Sequence, residues 1–168
     1  MFQLSVPEHI HLSYETMLAA YEGHKLAAAR LARQWWYARL LTLAFVGGTA
    51  VLSGVALQQG RAYLIAAAAV STAALAACAA YVAFDPSPRI YGHRASAARL
   101  WLLCENYRML LAEMHDGVID AGGVRARRSE LAREAAAALE QAPPADRHSY
   151  EIARRAVHAA DPVAAQAR

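Results

Sequence analysis

The middle of the chain is nearly free of charge. Every carboxylate lies before position 23 or after position 84, and the stretch 40–84 contains one charged residue, Arg61. A helix that packs in a soluble bundle keeps a charged stripe on the face that meets water. The stretch 40–84 lacks such a stripe, which predicts helices surrounded by lipid. A buried helical pair in a soluble bundle is the weaker alternative, because aromatic residues stand at the ends of long uncharged runs.

Two uncharged runs, Leu40–Leu57 and Ala62–Phe84, make up this stretch. As helices they would be about 27 and about 34 Å long, close to the roughly 30 Å hydrocarbon core of a bilayer. The first run holds nine Leu, Phe or Val residues, whereas the second is mostly alanine with six Leu, Ile, Val or Phe. Because only residues 58–61 join the runs, the two transmembrane helices are predicted to insert together as an antiparallel hairpin.

Basic and aromatic residues predict the orientation of this hairpin. Arginines flank it on the side of the two chain termini: Arg30, Arg33 and Arg39 come before it, and Arg89, Arg94 and Arg99 come after it. Cytoplasmic flanks of membrane helices carry the excess of basic residues, so both termini are predicted to be cytosolic. Aromatic residues that favour membrane interfaces stand at the ends of the runs, with Trp35, Trp36, Tyr37, Tyr81, Phe84 and Tyr91 on the cytosolic side and Tyr63 on the far side.

Amphipathic helices are predicted on both sides of the hairpin, over 5–39 and over 89–160. Ser5 and Glu8 have the spacing of a capping box, and only Gly23 weakens the helix that follows before the first crossing. The predicted fold is an all-α membrane protein in a single domain, 1–168. It consists of a two-helix transmembrane hairpin with N-terminal and C-terminal cytosolic helices forming a helical bundle.

Proline and glycine divide the C-terminal part of the chain into three helices. The segment Asp85–Pro88 ends the second crossing, since proline cannot continue a helix. The first helix is predicted from about Arg89 to Asp116, with a stop at Gly117. A turn is predicted at Ala121–Gly123, followed by a helix over Ser129–Gln141 that could begin at Val124. A last helix is predicted after a cap at Asp146 or Ser149.

The first of these three helices has an apolar seam at heptad spacing. A lone helix with so much apolar surface would not be stable in water. The seam is therefore predicted to pack on the other cytosolic helices or on other subunits. Its residues, together with one from the last helix, are Leu100, Cys104, Tyr107, Leu111, Met114 and Tyr150.

Sequence motifs for catalysis, metals or cofactors are missing. The seven histidines have no zinc spacing, and surface positions are expected for them. Gly122–Gly123 lacks the Lys-Ser/Thr that a phosphate loop needs, and no serine lies in a nucleophile elbow. The net charge of +3 is not gathered on one helix face, which argues against nucleic acid as a partner. We expect a protein that is not an enzyme, with no catalytic residues, no metal and no cofactor.

Small and hydroxyl-bearing residues line different faces of the two predicted crossings. Small residues let helix backbones approach closely in lipid, and helix contacts are expected at Gly47, Ala50 and Gly54 and at Ala69, Ala73, Ala77 and Ala80. The hydroxyls could line a pore between several subunits, since two helices cannot enclose a water path. Alternatively, they bond back to carbonyls of their own helix. These pore-lining candidates are Thr42, Thr49, Ser53, Ser71 and Thr72.

Two segments of the cytosolic helices, within a layout that covers about residues 15–160, resemble a known family. They are His93-Arg94-Ala95-Ser96-Ala97-Ala98, leading to Leu102, Leu103 and Glu105, and Ala142-Pro143-Pro144-Ala145-Asp146, leading to Tyr150-Glu151-Ile152-Ala153. The chain resembles the SLATT family, two-transmembrane effectors associated with bacterial nucleotide second-messenger and SLOG sensor systems. The resemblance implies a cell-suicide effector in antiviral defence. Such an effector forms pores in the bacterial inner (cytoplasmic) membrane when a sensor protein of the nucleotidyltransferase or SLOG type signals infection.

Two hypotheses for the function remain open at this point. In the first, a homo-oligomer forms a gated pore whose cytosolic helices receive the trigger. In the second, the hairpin only anchors a helical interaction module at the inner leaflet. A transporter subunit is disfavoured, because the crossings hold no charge of the kind that transport sites commonly use. A pore that gates by dewetting needs no such charge.

Overall fold

The fold is built from helices alone in the part of the chain that the structure describes. The computed structural model describes residues 5–59, 61–83, 85–144 and 147–160, except for the side chains of 56–59 and 160. These ranges contain no strand, which confirms the predicted all-α class. The helices are α1 Val6–Gln59, α2 Arg61–Ala83, α3 Ser87–His115, α4 Ala121–Glu140 and α5 Arg147–Ala160.

Helix α1 begins with the predicted capping box. The backbone N–H of Ser5 donates to Glu8 Oε2 at 2.7 Å, and the backbone N–H of Glu8 donates to Ser5 Oγ at 3.4 Å. Both N–H groups lack a carbonyl partner at the start of a helix, so the two side chains satisfy them. The bond from the Ser5 backbone, and then the bond with its hydroxyl, lower the pKa of Glu8 because they favour the ionised carboxylate.

Helix α1 continues through Gly23 and through the predicted boundary at residues 39 and 40. A Cβ atom at Gly23 would lie 3.4 Å from Tyr150 Cα of α5, an ordinary contact distance. Gly23 therefore lies directly against Tyr150 of α5, with room for a Cβ atom between the two backbones. This packing helps to offset the roughly 1 kcal/mol that glycine costs inside a helix.

Helix α3 ends in a Schellman motif at the glycine that the sequence marks as its stop. Gly117 has a positive φ of 67°, which is strained for any residue with a side chain. The N–H of Val118 donates to the Glu113 carbonyl at 3.0 Å, and the N–H of Gly117 donates to the Met114 carbonyl at 3.3 Å. The stop predicted at Gly117 is confirmed.

Helix α4 begins earlier than predicted, so the turn expected at Ala121–Gly123 is wrong. These residues form the first turn of the helix, and Asp120 is its N-cap. The Asp120 carboxylate accepts a hydrogen bond from the Gly123 N–H at 2.9 Å. A Cβ at Gly123 would lie 2.8 Å from Ile119 Cγ1 and 2.9 Å from Asp120 Oδ1. Glycine is therefore used for close approach at the cap rather than for breaking the helix.

Helix α5 runs over Arg147–Ala160. Ser149 lies inside the helix and is buried, so it is not the cap. The other predicted cap, Asp146, lies outside the described residues. Arg147 Nε contacts Glu151 Oε1 at 3.1 Å on an exposed face, a pair that contributes little to stability.

The chain divides into two compact units. The core unit consists of Met1–Ala29 and Arg89–Arg168, and the apolar unit consists of Arg30–Pro88. In the core unit, buried side chains of α1, α3 and α4 form one hydrophobic cluster. Ile10, Leu100 and Leu131 contribute one fully buried side chain from each of these helices.

The predicted apolar seam of α3 lies in this cluster. Leu100 and Cys104 are fully buried and Tyr107 nearly so, while Leu111, Met114 and Tyr150 are partly buried against them. Burial raises the pKa of the Cys104 thiol to about 11, so the thiol stays protonated and behaves as a small apolar residue. All six seam residues are thus used in packing within the core unit.

Candidate transmembrane hairpin

Two stretches of helix are long and apolar enough to cross a membrane. They lie within Val6–Val55 and Arg61–His115. Each stretch contains an apolar window of 18 residues. In the structure, 0% of the first window and 11% of the second window is buried. A central helix of a soluble protein has most of such a window covered by other side chains. Here the apolar surface is uncovered.

Large apolar side chains are exposed on both helices of the apolar unit. The exposed fraction is 67% for Val51, 73% for Ile65 and 78% for Val82. Soluble monomers rarely expose such continuous apolar surface. Arg61 is the single charged residue in the described part of 40–83, and it stands at the start of α2. Lipid is the solvent that suits this composition.

Aromatic stacking joins α1 and α2 near the ends that the sequence assigns to an interface. The rings of Trp35 and Tyr81 are stacked, with centroids 4.0 Å apart and planes 9° apart. A cavity of about 410 Å³ lies beside them, lined by Leu31, Gln34, Ala38, Leu41, Thr42, Ala77, Ala80 and Pro86 together with the two rings. Trp35 lies 24 residues before the end of α1 and Tyr81 lies 20 residues after the start of α2, so this contact shows that the two helices run antiparallel.

Four of the five pore-lining candidates bond back to their own helix. Hydroxyls donate to carbonyls four residues earlier, Thr42 to Ala38 at 2.9 Å, Thr49 to Phe45 at 2.6 Å, Ser71 to Ala67 at 2.7 Å and Thr72 to Ala68 at 2.9 Å. This is the alternative to pore lining that the sequence left open. Each hydroxyl keeps lone pairs that can accept a bond from water. Ser53 is exposed, and a pore-lining role for these residues stays a prediction.

The small residues of the first crossing form an open face. A Cβ atom at Gly47 or at Gly54 would meet no atom within 4 Å, and Ala50 is exposed. At about 100° per residue, this face lies opposite to the half-buried Phe45 and Leu52. In α2, Ala69, Ala73 and Ala80 are exposed and Ala77 is half-buried. Most of the predicted packing residues are therefore uncovered within one subunit.

A comparison with protein families decides what this arrangement belongs to. The family model described as SMODS and SLOG-associating 2TM effector domain family 4 matches residues 7–167. The chain belongs to the SLATT family. The resemblance seen in the sequence is thereby confirmed, and this SLATT protein is a membrane effector of the kind associated with SMODS and SLOG systems. No significant match was found among curated proteins or among solved structures.

Two histidines of this SLATT protein are buried, so the expectation of surface histidines is wrong for them. His24 of α1 is 3% exposed and His93 of α3 is 6% exposed. The sequence did contain a signal for this placement. His24 follows the buried Met17 and Ala20 at helical spacing, and His93 precedes the buried Ala97 by one helical turn. No group of three or more metal-binding side chains occurs among the described residues.

Proposed function

We propose that this SLATT protein is an oligomeric effector of a bacterial antiviral system that opens a pore in the inner membrane. The observation that carries the proposal is the exposed apolar surface of the two helices. Only 0% and 11% of their 18-residue apolar windows is buried. Membership of a two-transmembrane effector family supports the same function. The trigger comes from a sensor partner of the nucleotidyltransferase or SLOG type.

The arginines on the two flanks support an orientation with both termini in the cytosol. Three arginines precede the first crossing and three follow the second, against the single Arg61 at the tip. The core unit then lies in the cytosol as a helical bundle. In that position it is accessible to a cytosolic sensor and is joined directly to both membrane helices.

A pore requires several copies of the chain, because two helices cannot enclose a water path. The open face at Gly47, Ala50 and Gly54 supports a close contact between membrane helices of neighbouring copies. Since most candidate pore hydroxyls already donate to their own helix, a lumen lined by them would be only weakly polar. Such a lumen suits a gate that closes by dewetting.

The outer face of α3 supports a second contact between copies. Leu102 and Met109 are 63% and 56% exposed and lie two helical turns apart. Exposed Ala95, Ala98 and Ala112 continue this face at alternating steps of three and four residues. This spacing is typical of a helix that packs on another helix. The face is distinct from the buried seam of α3, which the core unit already uses.

Dye release from liposomes tests the pore directly. The purified protein is reconstituted into liposomes of bacterial lipids loaded with a self-quenching dye, with and without its purified sensor partner and the nucleotide signal. We expect release only when the activated partner is present. If the protein forms oligomers but releases no dye under any of these conditions, the pore is contradicted. The hairpin would then act as the anchor of an interaction module.

Filling the open glycine face should weaken assembly. We expect Gly47→Leu combined with Gly54→Leu to lower association about tenfold, which corresponds to a loss of about 1.4 kcal/mol. The added side chains would hold the neighbouring backbone away. The measurement is the yield of cross-linked oligomers in membranes. Leu41→Phe is the matched control, because Leu41 is exposed and lies at least about 120° away from every residue of this face. Equal cross-linking in the double variant and the control would contradict a contact at this face.

A further inference from the structure

The core unit contains a buried hydrogen bond between two histidines. Nδ1 of His24 lies 2.9 Å from Nδ1 of His93, and the ring centroids are 5.2 Å apart. His24 belongs to α1 and His93 to α3, and both side chains are almost completely buried. The bond therefore joins two helices inside the protein, where water cannot replace either partner.

The number of protons on the pair decides whether this bond exists. At 2.9 Å one Nδ1 must donate its N–H and the other must accept with its lone pair. The neutral pair meets this condition with two different tautomers. A pair with one extra proton also meets it, since an imidazolium can donate to a neutral imidazole. With two extra protons both Nδ1 atoms carry hydrogen, so the bond is lost and two like charges face each other.

The charged residues next to the pair along α1 and α3 are paired with each other or exposed. On α1, Glu22 and Lys25 pair with each other at 2.9 Å on an exposed face. On α3, Arg89 and Arg94 are exposed. From α5, the uncharged Tyr150 packs on Gly23, beside His24. His93 thus has exposed arginines near it on α3, and no carboxylate of the described residues is among the causes that lower the pKa of either histidine.

Helices α4 and α5 also pack in the core unit. On α4, the charges of Arg128 and Glu134 act on Tyr107. A Cβ at Gly92, next to His93, would lie 3.5 Å from Pro143, which carries no charge. His148 and Ser149 of α5 each make a further interaction within the protein.

The direction of the pH dependence follows from burial. The pKa of His24 is lowered by burial and then by charge on His93, and the pKa of His93 is lowered by burial. Both values lie below the ordinary histidine pKa of about 6.5. Unfolding or opening therefore takes up protons as the pH falls below that value. The pair stabilises the core unit fully above pH of about 6.5 and loses this contribution as the pH falls through the lowered pKa values.

The position of the pair along the chain connects it to the membrane helices. His24 comes six residues before Arg30, where α1 enters the apolar unit. His93 comes four residues after Arg89, where α3 re-enters the core unit. The pair thus ties together the two chain segments that lead into and out of the hairpin. Losing it would weaken the contact between these two segments.

We propose that His24 and His93 form a proton-operated latch, which holds α1 to α3 at neutral pH and opens when a fall in cytosolic pH adds a second proton. In terms of the pore proposed above, on which this step rests, opening the latch favours the conducting state. Acidification would then lower the amount of partner signal that the effector needs. The latch itself, as a contact between α1 and α3, can be tested without any pore.

Histidine NMR tests the latch independently of membrane leakage. The full-length protein with ¹³C,¹⁵N-labelled histidine is placed in lipid nanodiscs and titrated from pH 8 to pH 5. We expect His24 and His93 to titrate in two coupled steps below the ordinary histidine pKa of about 6.5. Their mutual Nδ1 contact should be lost in the second step. Independent titration of both rings at this ordinary value would overturn the latch, as would an unchanged contact at pH 5.

Asparagine variants separate the latch from general acid sensitivity. The asparagine amide can donate and accept near the Nδ1 position but does not titrate. We expect the Tm of the wild type to fall by at least about 4 °C between pH 7.5 and pH 5.5. In the variant His24→Asn with His93→Asn this fall should be absent, whereas the exposed control His9→Gln should behave like the wild type. If the double variant does not fold, His24→Asn alone serves, because it removes the second titrating ring. The same fall in Tm in the Asn variant would overturn the latch.

Dye release at two pH values distinguishes this proposal from the pore itself. With limiting partner signal, we expect several-fold more release from the wild type at pH 5.5 than at pH 7.5, and no such increase in the Asn variant. If the wild type releases dye equally at both values, the coupling of the latch to gating is overturned while the pore stands. If no dye is released at any pH but the NMR titration is coupled, the pore fails and the latch stands as a contact within the core unit.

Discussion

Shortening Leu100 to alanine should lower the free energy of unfolding of the core unit by about 2–5 kcal/mol. Leu100 is fully buried in α3, in the cluster that joins α1, α3 and α4. Removing three carbon atoms from such a site costs their transfer free energy and leaves a cavity that the neighbouring helices fill only in part. Domains of this size are stable by about 5–15 kcal/mol, so the loss is a large fraction of the total.

Urea unfolding of the protein in detergent micelles measures this loss. Trp101 reports on the core unit, because its ring centroid lies 5.3 Å from that of Tyr21. The matched control is Leu12→Ala, the same chemical change at a side chain that is 50% exposed. We expect the control to stay within about 0.5 kcal/mol of the wild type. Equal shifts of the unfolding midpoint for Leu100→Ala and Leu12→Ala would contradict the position of Leu100 in the core.

Two arginines in the first crossing should prevent membrane insertion. Nine Leu, Phe or Val residues favour insertion of Leu40–Leu57 by roughly 3–5 kcal/mol in total. Each arginine near the middle of a membrane helix costs about 2.5–3.5 kcal/mol. The variant Val46→Arg with Val51→Arg therefore loses more than the whole apolar run contributes. Both positions are exposed in the apolar unit, so the guanidinium groups would face lipid.

The fraction of protein that stays in carbonate-washed membranes measures insertion. We expect nearly all of the wild type in this fraction and most of the double arginine variant outside it. Val46→Leu with Val51→Leu is the control, since it changes the same two positions and keeps them apolar. Should the arginine variant remain in the washed membranes like this control, the two positions do not lie within the hydrocarbon core.

Much of the fold follows from local rules that act on a few neighbouring residues. The capping box at Ser5 and Glu8 needs only two side chains three residues apart, and the structure forms both bonds. The stop at Gly117 needs only a residue that tolerates a positive φ. The uncharged runs depend on composition alone. The capping box and the stop are each fixed within one or two helical turns, and the runs are visible in the sequence itself, so the sequence is sufficient to predict all three.

The features that the sequence did not predict depend on which neighbour a residue meets. Gly122 and Gly123 looked like a turn, but the Asp120 carboxylate caps a helix there and the close packing of Ile119 leaves no room for a Cβ at Gly123. His24 and His93 looked like surface residues, and each became buried because the other supplies its hydrogen bond. The histidine pair joins residues 69 positions apart in the chain, and one sequence does not reveal it.

Contacts between copies are not determined by one subunit alone. Gly47 and Gly54 have open space around them, which is what a helix contact in lipid needs. The face of α3 around Leu102 is exposed in the same way. In both cases the physical reason is that the energy of the contact comes from a second molecule.

Spin-label accessibility tests most directly that lipid surrounds the two helices. Single cysteines at Leu43, Val51, Leu75 and Val82 carry the label in a Cys78→Ala background, with the buried Cys104 left in place. Leu12 in the core unit is the control position. In reconstituted liposomes we expect collisions with oxygen to dominate at the four positions and collisions with a water-soluble nickel chelate to dominate at Leu12. High nickel accessibility at all five positions would mean that water surrounds the helices, and the transmembrane hairpin would be refuted.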